Sequence, residues 1–239
     1  MKLTVLTSYE ALSKHAATLV AAQIHAKPGS VLGLATGSTP VGLYAHLAAM
    51  HKSGALSLAG VTTFNLDEYE GLTAEHSQSY QAFMQQHLFG HVDLAPEKTH
   101  FPVGELVSTA YDDAIRQAGG IDLQILGIGG NGHIGFNEPG SSFDSRTRAV
   151  NLAARTIQDN SRFFAQASEV PHRAVTMGIA TIMEARRILL MASGKQKAGA
   201  VAHALEGPVH ERLPASILQR HSDVHVLIDE DAAAALKHL

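Results

Sequence analysis

The segment Gly127-Ile-Gly-Gly-Asn-Gly-His-Ile-Gly-Phe-Asn-Glu-Pro139 sets one imidazole, one carboxylate and two amides among five glycines. It follows the largely apolar run Ile121-Asp-Leu-Gln-Ile-Leu126. Such a run reads as a buried strand, so the polar groups should emerge at its carboxyl end, where open α/β sheets bind ligands. Histidine titrates near neutral pH, and beside Glu138 it is equipped for acid–base chemistry. The spacing Gly127-x-Gly129-x-x-Gly132 also matches a dinucleotide-binding fingerprint. That motif must open a helix and be answered by an acidic strand end about twenty residues later. Pro139 would interrupt the helix within two turns, and the region around Val150 has no acidic strand end. The dinucleotide reading is therefore rejected.

Three other strand ends carry chemistry, and so does one helix-like segment. Thr36-Gly37-Ser38-Thr39-Pro40 follows the apolar run Val31 to Ala35 at the start of a helix. Free backbone N–H groups, a glycine and hydroxyls make this a candidate anion site. It is no Walker A loop, since no Gly-Lys-Ser/Thr follows. Asn65-Leu66-Asp67-Glu68-Tyr69 ends the run that begins at Val61 and offers two adjacent carboxylates, of which one can enter a common site. Ser193-Gly194-Lys195-Gln196-Lys197 places lysines at another helix start, where an ammonium would complement a phosphate held by N–H groups. Arg162, on the helix-like segment Asn160-Ser161-Arg162, could act as a clamp. A phosphate grip, a carboxylate base and a His/Glu/Asn group suit proton transfer on a phosphorylated sugar. No cysteine exists as a nucleophile, and no serine sits in a Gly-x-Ser-x-Gly elbow.

These groups need a scaffold, and strand-like and helix-like segments alternate along the chain. Strands are expected at 3–6, 31–35, 61–66, 121–126, 174–177, 188–191 and 224–228. Helices are expected from a Thr7-x-x-Glu10 capping box to about His25, then from Thr39 as N-cap with Pro40 at the first helical position to about Lys52. Further helices are expected at 77–88, 107–118, 195–205 and 231–239. Alternation of this kind implies right-handed crossovers and an α/β fold: one mostly parallel central sheet with helices on both faces, Rossmann-like. No repeat, linker or low-complexity tract divides residues 1–239, so a single catalytic domain is expected.

Composition narrows the function classes. Of 239 residues, 45% are hydrophobic and 17% charged, which excludes a disordered chain. A net charge of −4 without a basic block argues against nucleic acid or an anionic membrane as partner. No apolar run approaches a membrane span, and the opening residues lack a signal-peptide layout. The absence of cysteine fits the cytoplasm. Fifteen histidines are scattered; His221 and His225 have ligand-like spacing but no obvious partners, so no metal is expected.

Leu34-Ala-Thr-Gly-Ser-Thr-Pro40, Phe64-Asn-Leu-Asp-Glu-Tyr69, Gly129-Gly-Asn-Gly-His-Ile-Gly-Phe-Asn-Glu-Pro139, Asn160-Ser-Arg-Phe-Phe164 and Gly194-Lys-Gln-Lys197 together resemble the motif series of glucosamine-6-phosphate deaminases. Order and spacing agree from near Met1 to about Asp229. The resemblance implies conversion of glucosamine 6-phosphate and water to fructose 6-phosphate and ammonia, without a cofactor. It implies Asp67 as the base moving the C2 proton towards C1, His133 as the group assisting ring opening, and Glu138 as the residue tuning it. Some family members carry aspartate where Asn131 stands, so Asn131 is assigned hydrogen-bonding orientation. Gly37, Ser38, Thr39, Arg162 and Lys197 would bind phosphate, with Lys195 the weaker of the two lysine candidates. Allosteric hexamers of this family use a serine, an Arg-x-Lys pair and a C-terminal extension. Here Ser141 and Arg148 are present, Val150 replaces the second cation, and the chain stops at Leu239. An unregulated enzyme, monomeric or in a small assembly, is the expectation. The alternatives are a galactosamine-6-phosphate deaminase, a 6-phosphogluconolactonase, and a sugar-phosphate-responsive regulator without turnover; the last lacks any DNA-binding segment here.

Overall fold

The computed structural model describes residues 1–103, 109–152, 157, 166 and 169–237. Seven strands form one sheet in the order β1-β10-β9-β6-β2-β3-β5, and every pairing in it is parallel. They are β1 (Lys2–Leu6), β2 (Val31–Leu34), β3 (Thr62–Asn65), β5 (Thr99–His100), β6 (Leu123–Gly127), β9 (Ile188–Ala192) and β10 (Val224–Asp229). The residues of β2, β9 and β10 are buried at every position. A strand buried on both faces needs cover on both, which is why these segments read as continuous apolar runs. From β2 the chain steps outward through β3 to β5, then returns to lay β6 against the other side of β2. The order reverses between β2 and β6, and in such sheets the crevice at that reversal receives ligands.

The helices are α1 (Tyr9–Ala26), α2 (Val41–Lys52), α3 (Tyr80–His87), α4 (Thr109–Gln117), α5 (Ile179–Met183), α6 (Ala198–Glu206) and α7 (Glu230–Ala233). Several ends differ from the sequence expectation. The capping box from Thr7 does not form: Ser8 is the N-cap, its hydroxyl accepting from Ala11 N, and Glu10 instead pairs with His46. Serine is as good a cap as threonine, so the motif slipped by one residue. The second helix starts at Val41, with Pro40 as an N-cap that offers no side-chain hydrogen bond. The Tyr9 hydroxyl takes the Gly42 N–H at 2.9 Å in its place. The terminal helix begins at Glu230, capped by Asp229 with Oδ1 accepting from Ala232 N, and ends at Ala233; residues 238–239 lie outside the described set.

A second sheet went unread in the sequence. It is antiparallel and three-stranded, β4 (Asp67–Tyr69) beside β8 (Arg173–Thr176) beside β7 (Arg148–Asn151). The expected strand near 174–177 belongs here, outside the central sheet. Leu66 joins the two sheets: its N–H bonds Leu34 O in the large one and its carbonyl accepts from Met177 N by the small one. Asp67, next in the chain, therefore stands where both sheets meet. A small apolar cluster of Tyr69, Leu152 and Ala174 packs this second sheet apart from the main core.

Candidate active site

One cleft of about 230 Å³ opens at the carboxyl ends of β2, β3 and β6. Thr36, Gly37, Ser38, Thr39, Asp67, Tyr80, Gly129, His133, Phe136 and Lys197 line it. Distant stretches of sequence thus meet at the topological reversal. Asp67 is 6% exposed, and burial, with a smaller contribution from the neighbouring charge of Glu68, pushes its pKa up to about 8. Glu68 points elsewhere. Its oxygens accept from the N–H groups of Tyr69, Tyr80 and Gln81, so it caps the helix that carries Tyr80 into the cleft. Burial raises the Glu68 pKa as well, against those three donors.

No helix follows β6, in keeping with the rejected nucleotide motif. The chain turns instead, with Gly132 N bonding Gly129 O and Gly129 N bonding His133 O. Gly129 is required for a packing reason: a Cβ there would sit 2.3 Å from the His133 ring. His133 Nδ1 lies 3.2 Å from Glu138 Oε1, in ion-pair contact but off the line of a straight hydrogen bond. The contact with His133, against a smaller opposing effect of burial, lowers the Glu138 pKa. A carboxylate facing Nδ1 favours the proton there, which leaves the Nε2 lone pair for a ligand. Asn131 donates from Nδ2 to Glu138 Oε2 at 2.6 Å and accepts the His133 N–H on Oδ1 at 3.2 Å. Asn131 and Glu138 thus hold the histidine from behind without lining the cleft.

The opposite wall supplies positive potential. No acceptor among the described residues takes the amides of Gly37, Ser38 and Thr39. Gly37 adopts φ 89°, which lets this loop turn at the head of α2. The Lys197 ammonium is half-buried, and desolvation lowers its pKa. No carboxylate pairs with it among the described residues, and a buried unpaired cation is stabilised by an incoming anion. The Ser193–Gly194 turn before it is anchored by Asp229, whose carboxylate accepts from Ser193 Oγ and Gly194 N. Lys195, by contrast, is 81% exposed and lies near Asp231, away from the cleft. Arg162 and its neighbours Asn160 and Ser161 lie outside the described residues.

Sequence reasoning missed Tyr80 and Phe136, which stack at 6.2 Å between ring centroids to make an aromatic wall. Ser79, the N-cap of α3, was the available signal for Tyr80. Arg148 and Ser141, noted in the sequence without an assigned role, are in contact with each other. Arg148 Nη1 turns inward to Asn137 Oδ1 at 2.9 Å, and Nη2 reaches Ser141 Oγ at 3.4 Å. His221 and His225 bond Ala185 O and Thr4 Oγ1 respectively, and no metal-binding group of three or more His or acidic side chains occurs among the described residues.

The family described as glucosamine-6-phosphate isomerases/6-phosphogluconolactonase matches residues 7–227. The chain belongs to that family. A glucosamine-6-phosphate deaminase of Hahella chejuensis is 52% identical over 241 residues, covering 99% of this chain and 92% of the relative. Glucosamine-6-phosphate deaminase 2 of Bacillus subtilis is 53% identical, with 99% and 98% covered. Among solved structures, one described as a monomeric glucosamine-6-phosphate deaminase superposes with a TM-score of 0.93 at 47% identity, covering 98% of this chain and all of that one. The 6-phosphogluconolactonase of Trypanosoma cruzi shares the fold of the family with a TM-score of 0.76 at 20% identity, covering 99% of this chain and 97% of that one.

Proposed function

We propose that this family member converts glucosamine 6-phosphate and water to fructose 6-phosphate and ammonia. The observation that carries this reading is the shared cleft: a buried carboxylate, an imidazole backed by a carboxylate, and an ammonium beside backbone amides, both without a partner among the described residues. The phosphate is held by the loop 37–39 and Lys197, with Arg162 a further ligand. His133 Nε2 takes the proton of the C1 hydroxyl and, as an imidazolium stabilised by Glu138, returns it to the ring oxygen as the bond from C1 to that oxygen breaks. Asp67 then removes the C2 proton of the open-chain aldehyde and returns it at C1, while a proton of the C2 ammonium passes to the C1 oxygen, which leaves a protonated imine at C2. Water adds to that carbon and ammonia departs, giving the ketose. Asn131 orients Glu138 and the loop and exchanges no proton.

A carboxylate with a raised pKa is a stronger base than an ordinary one, which suits abstraction from carbon. The substrate ammonium at C2, arriving beside Asp67, opposes the burial and favours the ionised form. The whole chain acts as one catalytic domain in the cytoplasm, as a monomer or small assembly without effector control. Among the described residues no helix is long and apolar enough to cross a membrane. The test is to follow ammonia and fructose 6-phosphate released from glucosamine 6-phosphate and from its galactosamine epimer, with lactone hydrolysis alongside. Asp67→Asn should lose at least about a hundredfold in kcat, the usual scale for removing a general base. Lactone hydrolysis without ammonia release would overturn the proposal.

A further inference from the structure

Residues 135, 136 and 137 lie against the small sheet, the last two hydrogen-bonded to two of its strands. Across the small sheet Asp67 stands opposite Thr176, and Thr176 opposite Arg148. Directly opposed residues of antiparallel strands project from the same face. The loop between His133 and Glu138 lies on that face. A Cβ built on Gly135 would come within 3.5 Å of Asp67 Oδ2 and 2.9 Å of Thr176 Oγ1. Phe136 donates its N–H to Thr176 Oγ1 at 3.1 Å. Asn137 accepts from Arg148 Nη1 at 2.9 Å, while its own Nδ2 donates to Ile134 O and Met177 O. Asn137 and Thr176 are both fully buried, so water competes little at their side of these bonds.

Arg148 is a costly choice for such a contact. Its guanidinium is half-buried and, among the described residues, faces an amide, a carbonyl and a hydroxyl but no carboxylate. A desolvated charge without a counter-ion opposes stability. Two of its acceptors bracket Glu138: Asn137 precedes it, and Ser141 follows with its N–H bonded to Glu138 O. The cationic fork therefore holds the segment bearing the carboxylate that backs His133.

We propose that Thr176 and Arg148 are positioning residues for the reaction, setting the gap between the Asp67 carboxylate and the His133–Glu138 pair without touching the sugar. The inference rests on the roles proposed above for Asp67 and His133. Asp67 stands on β4 and His133 in the loop after β6, and nothing covalent nearby fixes their separation. Displacement of about 1 Å in a reacting pair can cost about a hundredfold in rate. Two hydrogen bonds, one from β8 and one from β7, hold the loop against the sheet, and Gly135 leaves no room for a side chain between Asp67 and Thr176. A guanidinium engaged in this way is also withdrawn from binding a second phosphate.

Thr176→Val keeps the shape and leaves the Phe136 N–H without an acceptor. It should lower kcat about tenfold to a hundredfold. KM should stay within about twofold, because the phosphate grip lies on other elements. Thr176→Ser should restore kcat. Arg148→Lys, which keeps the charge and loses the fork, should show the same split and carries the test should Thr176→Val fail to fold. Unchanged kcat in both Thr176→Val and Arg148→Lys, or a loss confined to KM, overturns the positioning role. Wild-type protein that releases no ammonia from glucosamine 6-phosphate overturns instead the reading beneath it.

Discussion

Asp67 and Lys197 have ordinary side chains made unusual by what surrounds them. Asp67 is buried beside another carboxylate, and its pKa is pushed up to about 8. If it acts as the base, kcat/KM should rise with pH up to about 8, where the carboxylate becomes the prevailing form. Glu68→Gln removes the neighbouring charge and should move that midpoint down; a pH–rate profile with an unmoved midpoint would leave burial as the sole cause. Lys197 is the opposite case, a half-buried cation whose partner is an expected substrate oxygen. Lys197→Ala should raise KM about tenfold to a hundredfold, the scale of a charge-assisted hydrogen bond, and change kcat little. Steady-state kinetics on the two variants separate base from grip. The sequence allowed Lys197 to be preferred over Lys195 only through the resemblance, since both stand at the same helix start. Fold geometry distinguishes them, one lining the cleft and the other exposed near Asp231.

At the level of elements, the glycine-rich loop is held by close packing. Gly129→Ala would drive a methyl into the His133 imidazole, since the added carbon falls 2.3 Å from the ring. The ring must leave its place facing Glu138, so kcat should fall sharply, and overpacking should cost about 1–3 kcal/mol of stability. Near-normal turnover in this variant would remove His133 from the reaction. The loop was legible in sequence because its residue types are rare together. The central strands were legible because burial on both faces writes an unbroken apolar run, as in Val31–Leu34 and Ile188–Ala192. The small sheet was not. Its strands are three or four residues long, and Asp67-Glu68-Tyr69 and Arg148-Ala-Val-Asn151 carry polar side chains into contacts that only tertiary structure supplies. The start of the first helix was misplaced by one residue because two adjacent hydroxyls, Thr7 and Ser8, could cap it and Ser8 does. Nothing local announces that Tyr9, on another helix, serves Gly42.

For the whole molecule, stability depends on which groups burial forces to hold or shed protons. Burial chiefly lowers the pKa of His100 and His225, so their contribution is present above about 6.5 and is lost as pH falls through the folded values. Asp122 and Asp229 are opposed by burial, yet the hydrogen bonds to them hold their pKa low. Their contribution is lost only in acid, as pH falls through those low values. Asp67 runs the other way. The folded state binds its proton up to about 8, whereas the unfolded chain releases it near 3.8. Stability therefore declines as pH rises between these values, because ionising the buried carboxylate costs energy that the unfolded chain does not incur. Between pH 6.5 and 8 the low-pKa aspartates stay ionised and His100 and His225 keep only the upper tail of their unfolded-state titration, while Asp67 titrates. Over that window the single group should remove about 1–2 kcal/mol, a few °C of Tm for a chain of this size. Asp67→Asn cannot ionise, so its melting temperature should stay nearly level over the same window and overtake the wild type towards pH 8. Parallel thermal melts of the two proteins at pH 6.5, 7.25 and 8 test this directly. Curves that fall together would mean that water or a counter-charge reaches Asp67, and that its carboxylate is no stronger a base than one at the surface.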